Sequence, residues 1–270
     1  MDLEVAMEAP RGGIPPLSEL FHAASALPAG ITVLGDLLWA FAYIVAIVIG
    51  FKRQTFGIPI LAVCLNITWE FVYTAIHPPG SAVTLGLHLA WLFIDVVILY
   101  QIFRYGRLCP TTRPLGKHFA LAVVAVLALC IAGHLTWHAA QNAMAIFPDT
   151  LGVTSAFMIN LVMSVLFVSM AMRHPDHPGL SLAVGWAKLV GTALISLGNT
   201  IVFFTGTAQT FDVQVRKQGA AEWVDAGTIG AHNFDPGFMF FLFISIFVFD
   251  VIYVVLLRRR RKLSSSAVSP

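Results

Sequence analysis

Charge is scarce in this chain. Asp, Glu, Lys and Arg make up 11% of its 270 residues, where a soluble domain carries about a quarter. With 58% hydrophobic residues and a mean hydropathy of +0.82, this excludes an ordinary soluble domain and indicates an integral membrane protein. Cysteine is scarce as well. Cys64, Cys109 and Cys130 are the three present, two of them inside apolar runs and none paired by spacing. Neither a disulfide framework nor a zinc site is expected. The first residues are acidic (Asp2, Glu4, Glu8) and no apolar run begins before Ile31, so no signal peptide is expected. The formal net charge of +2 says little, and no nucleic-acid partner is expected.

What the chain has in abundance is long apolar runs. Seven are present, at 31–51, 57–76, 82–103, 118–138, 151–172, 180–204 and 237–257, each near the ~20 residues that a bilayer demands of a helix. The expected fold is an all-α membrane protein, a bundle of seven transmembrane helices over 31–257. Residues 1–30 are read as a tail or a surface helix with Leu17, Leu20, Phe21, Ala24 and Leu27 on one face, and 258–270 as a basic tail. Basic residues cluster on one side of such a bundle. Lys52, Arg53, Arg104, Arg107, Arg113, Lys117, Arg173 and the run Arg258–Lys262 account for 12 of the 16. The positive-inside rule then puts the N-terminus outside or in a lumen and the C-terminus in the cytoplasm. The one long connection, 205–236, carries TFDVQV and AEWVDAG around Lys217-Gln218-Gly219 and predicts a small hairpin.

Four acids fall within the runs: Asp36, Glu70, Asp95 and Asp250. Ionisable groups at that depth are costly and mark functional cavities or pairs. Asn66, Glu70, Tyr73 and His77 recur at helical spacing and share one face of span two; His88, Trp91 and Asp95 do the same on span three. Asp36 lies near the outer end of span one, within reach of interfacial water. Helix rise puts Glu70 roughly 20 Å above the cytoplasmic boundary, Asp95 about 12 Å and Asp250 about 10 Å. Lys188, the one base within a run, sits at the height of the two aspartates, and a structural pair with one of them is expected. Trp69, Tyr73 and Trp91 lie deep beside the carboxylates, and Tyr253 comes three residues after Asp250. Aromatic faces stabilise cations where water is excluded, and a carboxylic acid in an apolar pocket keeps its proton at neutral pH. A buried acid, aromatic walls and a proton acceptor are what carbocation chemistry needs.

The segment NITWEFVY in span two, WLFIDVVILYQIFRYG in span three and FDVIYVVL in span seven resemble the small membrane-integral terpene cyclases of fungal meroterpenoid and indole-diterpenoid pathways, which have bacterial relatives. The resemblance implies a heptahelical cyclase in which Glu70 and Asp250 are the catalytic acids. Asn66, Trp69, Tyr73, His88, Trp91, Asp95 and Tyr253 would then surround the substrate and its cations. It also implies a prenylated small molecule as substrate, as alkene or terminal epoxide, with an upstream prenyltransferase or epoxidase. Neither a DXDD nor a DDXXD motif is present, so no metal and no cofactor is expected. The connection 205–236 exceeds what the family suggests. The expected location is a bacterial cell membrane or the endoplasmic reticulum membrane. The rival readings are a heptahelical proton-coupled transporter or receptor, whose path the same acids would line, and a membrane isomerase shifting a sterol double bond. A retinal protein fits poorly, because span seven has no lysine.

Overall fold

The computed structural model describes residues 3–7, 26–78, 82–109, 112–144, 152–205, 211–217, 224–229 and 236–266. Among them are seven α-helices: α1 (Ala26–Arg53), α2 (Ile60–Phe71), α3 (Ala82–Tyr105), α4 (Phe119–Met144), α5 (Val153–Arg173), α6 (Leu182–Thr205) and α7 (Pro236–Ser266). Each falls on one of the seven apolar runs. Six are long and apolar enough to cross a membrane, while the apolar stretch Ile60–Ile76 is shorter. Large apolar side chains point outward along them, as with Leu37, Phe41, Ile44 and Val48 on α1 or Phe93, Val96 and Tyr100 on α3. Such stripes suit contact with lipid.

Small residues let α1 and α6 approach closely. A Cβ on Gly35 would stand 2.7 Å from the Gly191 carbonyl oxygen, and one on Gly191 would stand 2.9 Å from that of Gly35. This is the packing membrane helices use when no hydrophobic gain separates lipid from protein. α5 packs on α7, and α2 is held among α3, α4 and α5. His134 of α4 adds a ring-nitrogen contact of 3.0 Å to the Leu65 carbonyl oxygen of α2.

At one end of the bundle two turns interlock. Gln54 takes a left-handed φ of 50° and ends α1. Arg53 Nη1 donates to the Pro178 carbonyl at 2.8 Å, and Gly179 lies so close to the Phe56 carbonyl and the Gly57 backbone that no side chain would fit. His177 packs on Phe56 with tilted rings, their centres 5.1 Å apart. Asp176 of the same turn meets Arg260 of α7 at 3.7 Å.

Three short strands complete the described residues: β1 (Leu3–Met7), β2 (Phe211–Lys217) and β3 (Val224–Ile229), in the order β1-β2-β3. β2 and β3 are antiparallel and form the hairpin expected in 205–236. β1 joins its free edge, pairing Leu3 with Lys217 and Met7 with Val213. So part of the N-terminal segment is a strand rather than a tail, because the hairpin offers it an open ladder. On the expected surface-helix face, Leu17, Leu20, Phe21 and Ala24 lie outside the described residues, and Leu27 belongs to α1. α7 continues through Ser266, past the expected boundary at 257.

Directly after α2 the backbone widens into a π turn, Val72–Ile76, closed by His77 N–H donating to the Val72 carbonyl at 2.8 Å. A π turn holds an extra residue, which rotates every later side chain about the helix axis. The single face predicted for Asn66, Glu70, Tyr73 and His77 is therefore split. Tyr73 packs on Trp69 with ring centres 4.9 Å apart, and His77 stacks on His138 at 3.8 Å.

Candidate active site

α1, α2, α3, α5 and α6 line a cavity of about 220 Å³. α2 supplies Asn66, Trp69 and Glu70, and α3 supplies Trp91. These four were predicted from the sequence, and the fold brings them together. α1 adds Asp36, Trp39 and Tyr43, α5 adds Ala156, Phe157, Asn160 and Met163, and α6 adds Thr192 and Ile195. A signal for the α1 wall was present: Asp36, Trp39 and Tyr43 have the same i, i+3, i+7 spacing as His88, Trp91 and Asp95.

The aromatic walls are braced. Trp69 Nε1 donates to Ser155 Oγ at 2.9 Å, and that hydroxyl donates to the Gly152 carbonyl at 3.0 Å. Trp39 Nε1 donates to Thr192 Oγ1 at 3.1 Å. Tyr43 meets Trp91 edge-on, with ring centres 5.5 Å apart. With these two indole N–H groups engaged and the rings wedged, the π faces are what Trp39 and Trp69 can offer a guest.

Glu70 is 6% exposed, and its Oε2 has no hydrogen-bond partner among the described residues. An unpaired buried carboxyl oxygen carries a desolvation cost that a ligand, a water or a proton relieves. Asp95 is fully buried behind the wall, where Asn66 Nδ2 donates to its Oδ2 at 2.6 Å.

Asp250 and Lys188, each 1% exposed, form the pair the sequence led one to expect. Lys188 Nζ donates to Asp250 Oδ1 at 2.6 Å, to Oδ2 at 2.8 Å and to Ser164 Oγ at 2.6 Å, so all three ammonium hydrogens are used. The same nitrogen stands 5.2 Å from the ring centre of Trp39. Asp250 is thus outside the cavity lining, linked to it through Lys188 and the Trp39 ring. Tyr253, 1% exposed, packs on Phe167 at 5.0 Å. His88 packs behind Trp69 at 5.5 Å. Tyr73, His88, Asp95, Lys188, Asp250 and Tyr253, all expected at the site, do not line the cavity. Among the described residues no group of three or more His, Cys, Asp or Glu is placed to hold a metal ion.

A bundle of mostly membrane-length helices around an aromatic-walled cavity with a buried carboxyl group defines a membrane-embedded protein with an internal site. The sequence profile of the Pyr4-like transmembrane terpene cyclases matches residues 15–207, and the chain belongs to that family. The profile stops before α7. Relatives include the terpene cyclase macJ of Penicillium terrestre, 29% identical over 177 residues (64% of this chain, 66% of the relative). Asnovolin H synthase nvfL of Aspergillus novofumigatus is 29% identical over 170 residues, 63% of this chain and 68% of its own. The terpene cyclase janB of Penicillium janthinellum is 27% identical over 188 residues, 68% and 71% of the two chains. The matched stretches thus span about two thirds of the first two relatives' lengths. No solved structure matches the chain.

Proposed function

We propose that this protein closes rings in the prenyl chain of a small molecule, and that Glu70 starts the reaction. Its carboxyl proton passes to the terminal alkene carbon, leaving a tertiary cation. On an epoxide the proton goes to the oxirane oxygen instead, and a C–O bond breaks to leave a hydroxyl. Successive alkenes attack the cation and close rings. A C–H bond beside the last cation then gives up its proton to a carboxylate. Atoms and electrons balance as an isomerisation. The observation that carries this reading is the unpartnered Glu70 oxygen on an aromatic-walled cavity. Trp39, Trp69 and Trp91 offer their faces to the passing cations. Asp36, exposed on the same cavity, is placed to take the final proton and return it to water.

Asp250 has a supporting task in this reading. Both its oxygens accept from Lys188, so it offsets an ammonium that stands against the Trp39 ring and would otherwise repel a cation on the other face. Asn66, with Asp95 behind it, holds the wall next to Glu70. The substrate is a farnesyl-like chain on an aromatic, indole or polyketide head, supplied by a prenyltransferase or epoxidase.

The interlocked turns support seven crossings. The α1–α2 turn touches the α5–α6 turn, so both lie on one side, which requires an even number of crossings between them. α2 through α5 make four, and without α2 there would be three. At 1.5 Å per residue Ile60–Ile76 spans about 25 Å, enough to cross with some thinning of the bilayer. The pairing of β1 with β2 has the same parity. The basic ends then face the cytoplasm.

Product analysis of Glu70→Gln in reconstituted membranes, with farnesylated precursors, tests the assignment. The amide keeps shape and removes the proton, so ring formation should fall by at least about a thousandfold, within the range general acids contribute. Full cyclisation by this variant would refute the role of Glu70.

A further inference from the structure

We infer that the prenyl chain enters the cavity sideways from the membrane, through a groove between α6 and α7, past Thr192. This rests on the cyclase reading above. The groove has a volume of about 270 Å³ and is walled by Leu189, Ala193, Leu197, Phe243, Ile244 and Phe247, together with Thr192. Leu197, Ile244 and Phe247 are 47%, 63% and 49% exposed, on the apolar outer surface of helices of membrane-spanning length. The occupant it suits is an isoprenoid chain: linear apart from its methyl groups, apolar, and already dissolved in lipid.

Thr192 belongs to both walls, that of the groove and that of the cavity. Its hydroxyl oxygen accepts from Trp39 Nε1 at 3.1 Å and from Asn160 Nδ2 at 3.3 Å, which ties α6 to α1 and α5. Between the two spaces stands a polar tie of two hydrogen bonds. Net, such bonds each contribute little to stability, so the tie opens readily with thermal motion. Asn160 Oδ1 is buried without a partner, so the amide has an unused acceptor with which to hold Thr192 Oγ1–H in a shifted arrangement. Size gives a second, independent reason. The cavity alone, at about 220 Å³, is below the ~300–1,000 Å³ of small-molecule sites, and too small for a farnesyl chain with its head group. Joined across Thr192, the two spaces reach that range.

The experiment uses the full chain in lipid nanodiscs and farnesol carrying a diazirine on its terminal isoprene unit, with adducts located by mass spectrometry. In the unsubstituted chain, adducts are expected on Ile244 or Phe247 of the groove and on Met163 or Trp39 of the cavity. Ala193→Phe fills the groove, and Leu197→Trp covers it from the outside. Each variant, shown folded by circular dichroism, should lower cavity adducts at short exposure about tenfold. With a farnesylated phenol, kcat/KM should fall while the product ratio stays the same, the pattern of impeded entry rather than altered chemistry. Undiminished cavity adducts in both folded variants would overturn the lateral path alone. Groove adducts displaced equally by palmitic acid, with the cavity labelled regardless, would mark a lipid site and overturn it too. No cavity adduct in the unsubstituted chain would count against the cyclase reading and remove the path with it.

Discussion

Replacing Asp250 by asparagine takes one charge from a buried pair and leaves the other against the cavity wall. Lys188 Nζ is 5.2 Å from the Trp39 ring centre. A carbocation resting ~4 Å from the other face of that ring would stand about 9 Å from the ammonium, and two unit charges at that separation repel by about 2 kcal/mol at an effective dielectric of 20. The expected loss in kcat is roughly 20- to 30-fold. Stability falls too, since breaking a buried pair costs about 3–5 kcal/mol, so rates must be normalised to folded protein recovered after reconstitution. The decisive comparison is with Asp250→Asn/Lys188→Met, which removes the ammonium as well. Methionine fills similar volume without charge, so both stability and turnover should return to within a few-fold of the unsubstituted chain. If the folded double variant stays as inactive as Asp250→Asn, then the Asp250 carboxylate handles a proton itself and the charge-balance reasoning is wrong.

Two further outcomes concern the frame of the bundle. Gly191→Val puts a branched side chain where even a Cβ would stand 2.9 Å from the Gly35 carbonyl; α1 and α6 must separate, thermal stability in detergent should fall by about 1–3 kcal/mol as for other overpacked sites, and an unchanged melting temperature would contradict the close packing. His177, in the turn between α5 and α6, is lowered to about 4 from its ordinary 6.5, first by burial and then by the nearby His174 and Arg260 charges. The folded state holds it neutral, so above pH 6.5 it has no effect. As pH falls from 6.5 to 4 the unfolded chain takes up a proton the folded one refuses, and stability should drop by at most about 3 kcal/mol. Thermal unfolding at pH 7.5 and pH 4.5 measures it, and His177→Asn should flatten the dependence.

Much of the bundle was legible in the run lengths. Hydrocarbon thickness sets how many apolar residues a crossing needs, and that constraint acts on each segment alone, so all seven helices lie where the apolar runs predicted. Glu70 stood out for the same reason: a carboxylate in the middle of such a run has few tolerable surroundings. The need of Lys188 for an acidic partner was legible too, as a cost that some neighbour had to offset.

Which neighbour does so was decided only by the tertiary structure. Helical periodicity gives the angle of a side chain about its own axis but not which helix stands opposite, and Asp95 and Asp250 were equal candidates until α7 packed beside α6 and Asn66 took Asp95. The close approach of α1 to α6 through Gly35 and Gly191 put Trp39 between Thr192 and Lys188, and its bond to Thr192 joins residues 153 positions apart with no local signature. The π turn at Val72–Ile76 likewise shifted His77, which stacks on His138 of α4, because one widened turn shifts every later residue and regular spacing contains no sign of it. Local physics determined where the chain crosses; the order in which helices pack determined what each buried charge meets.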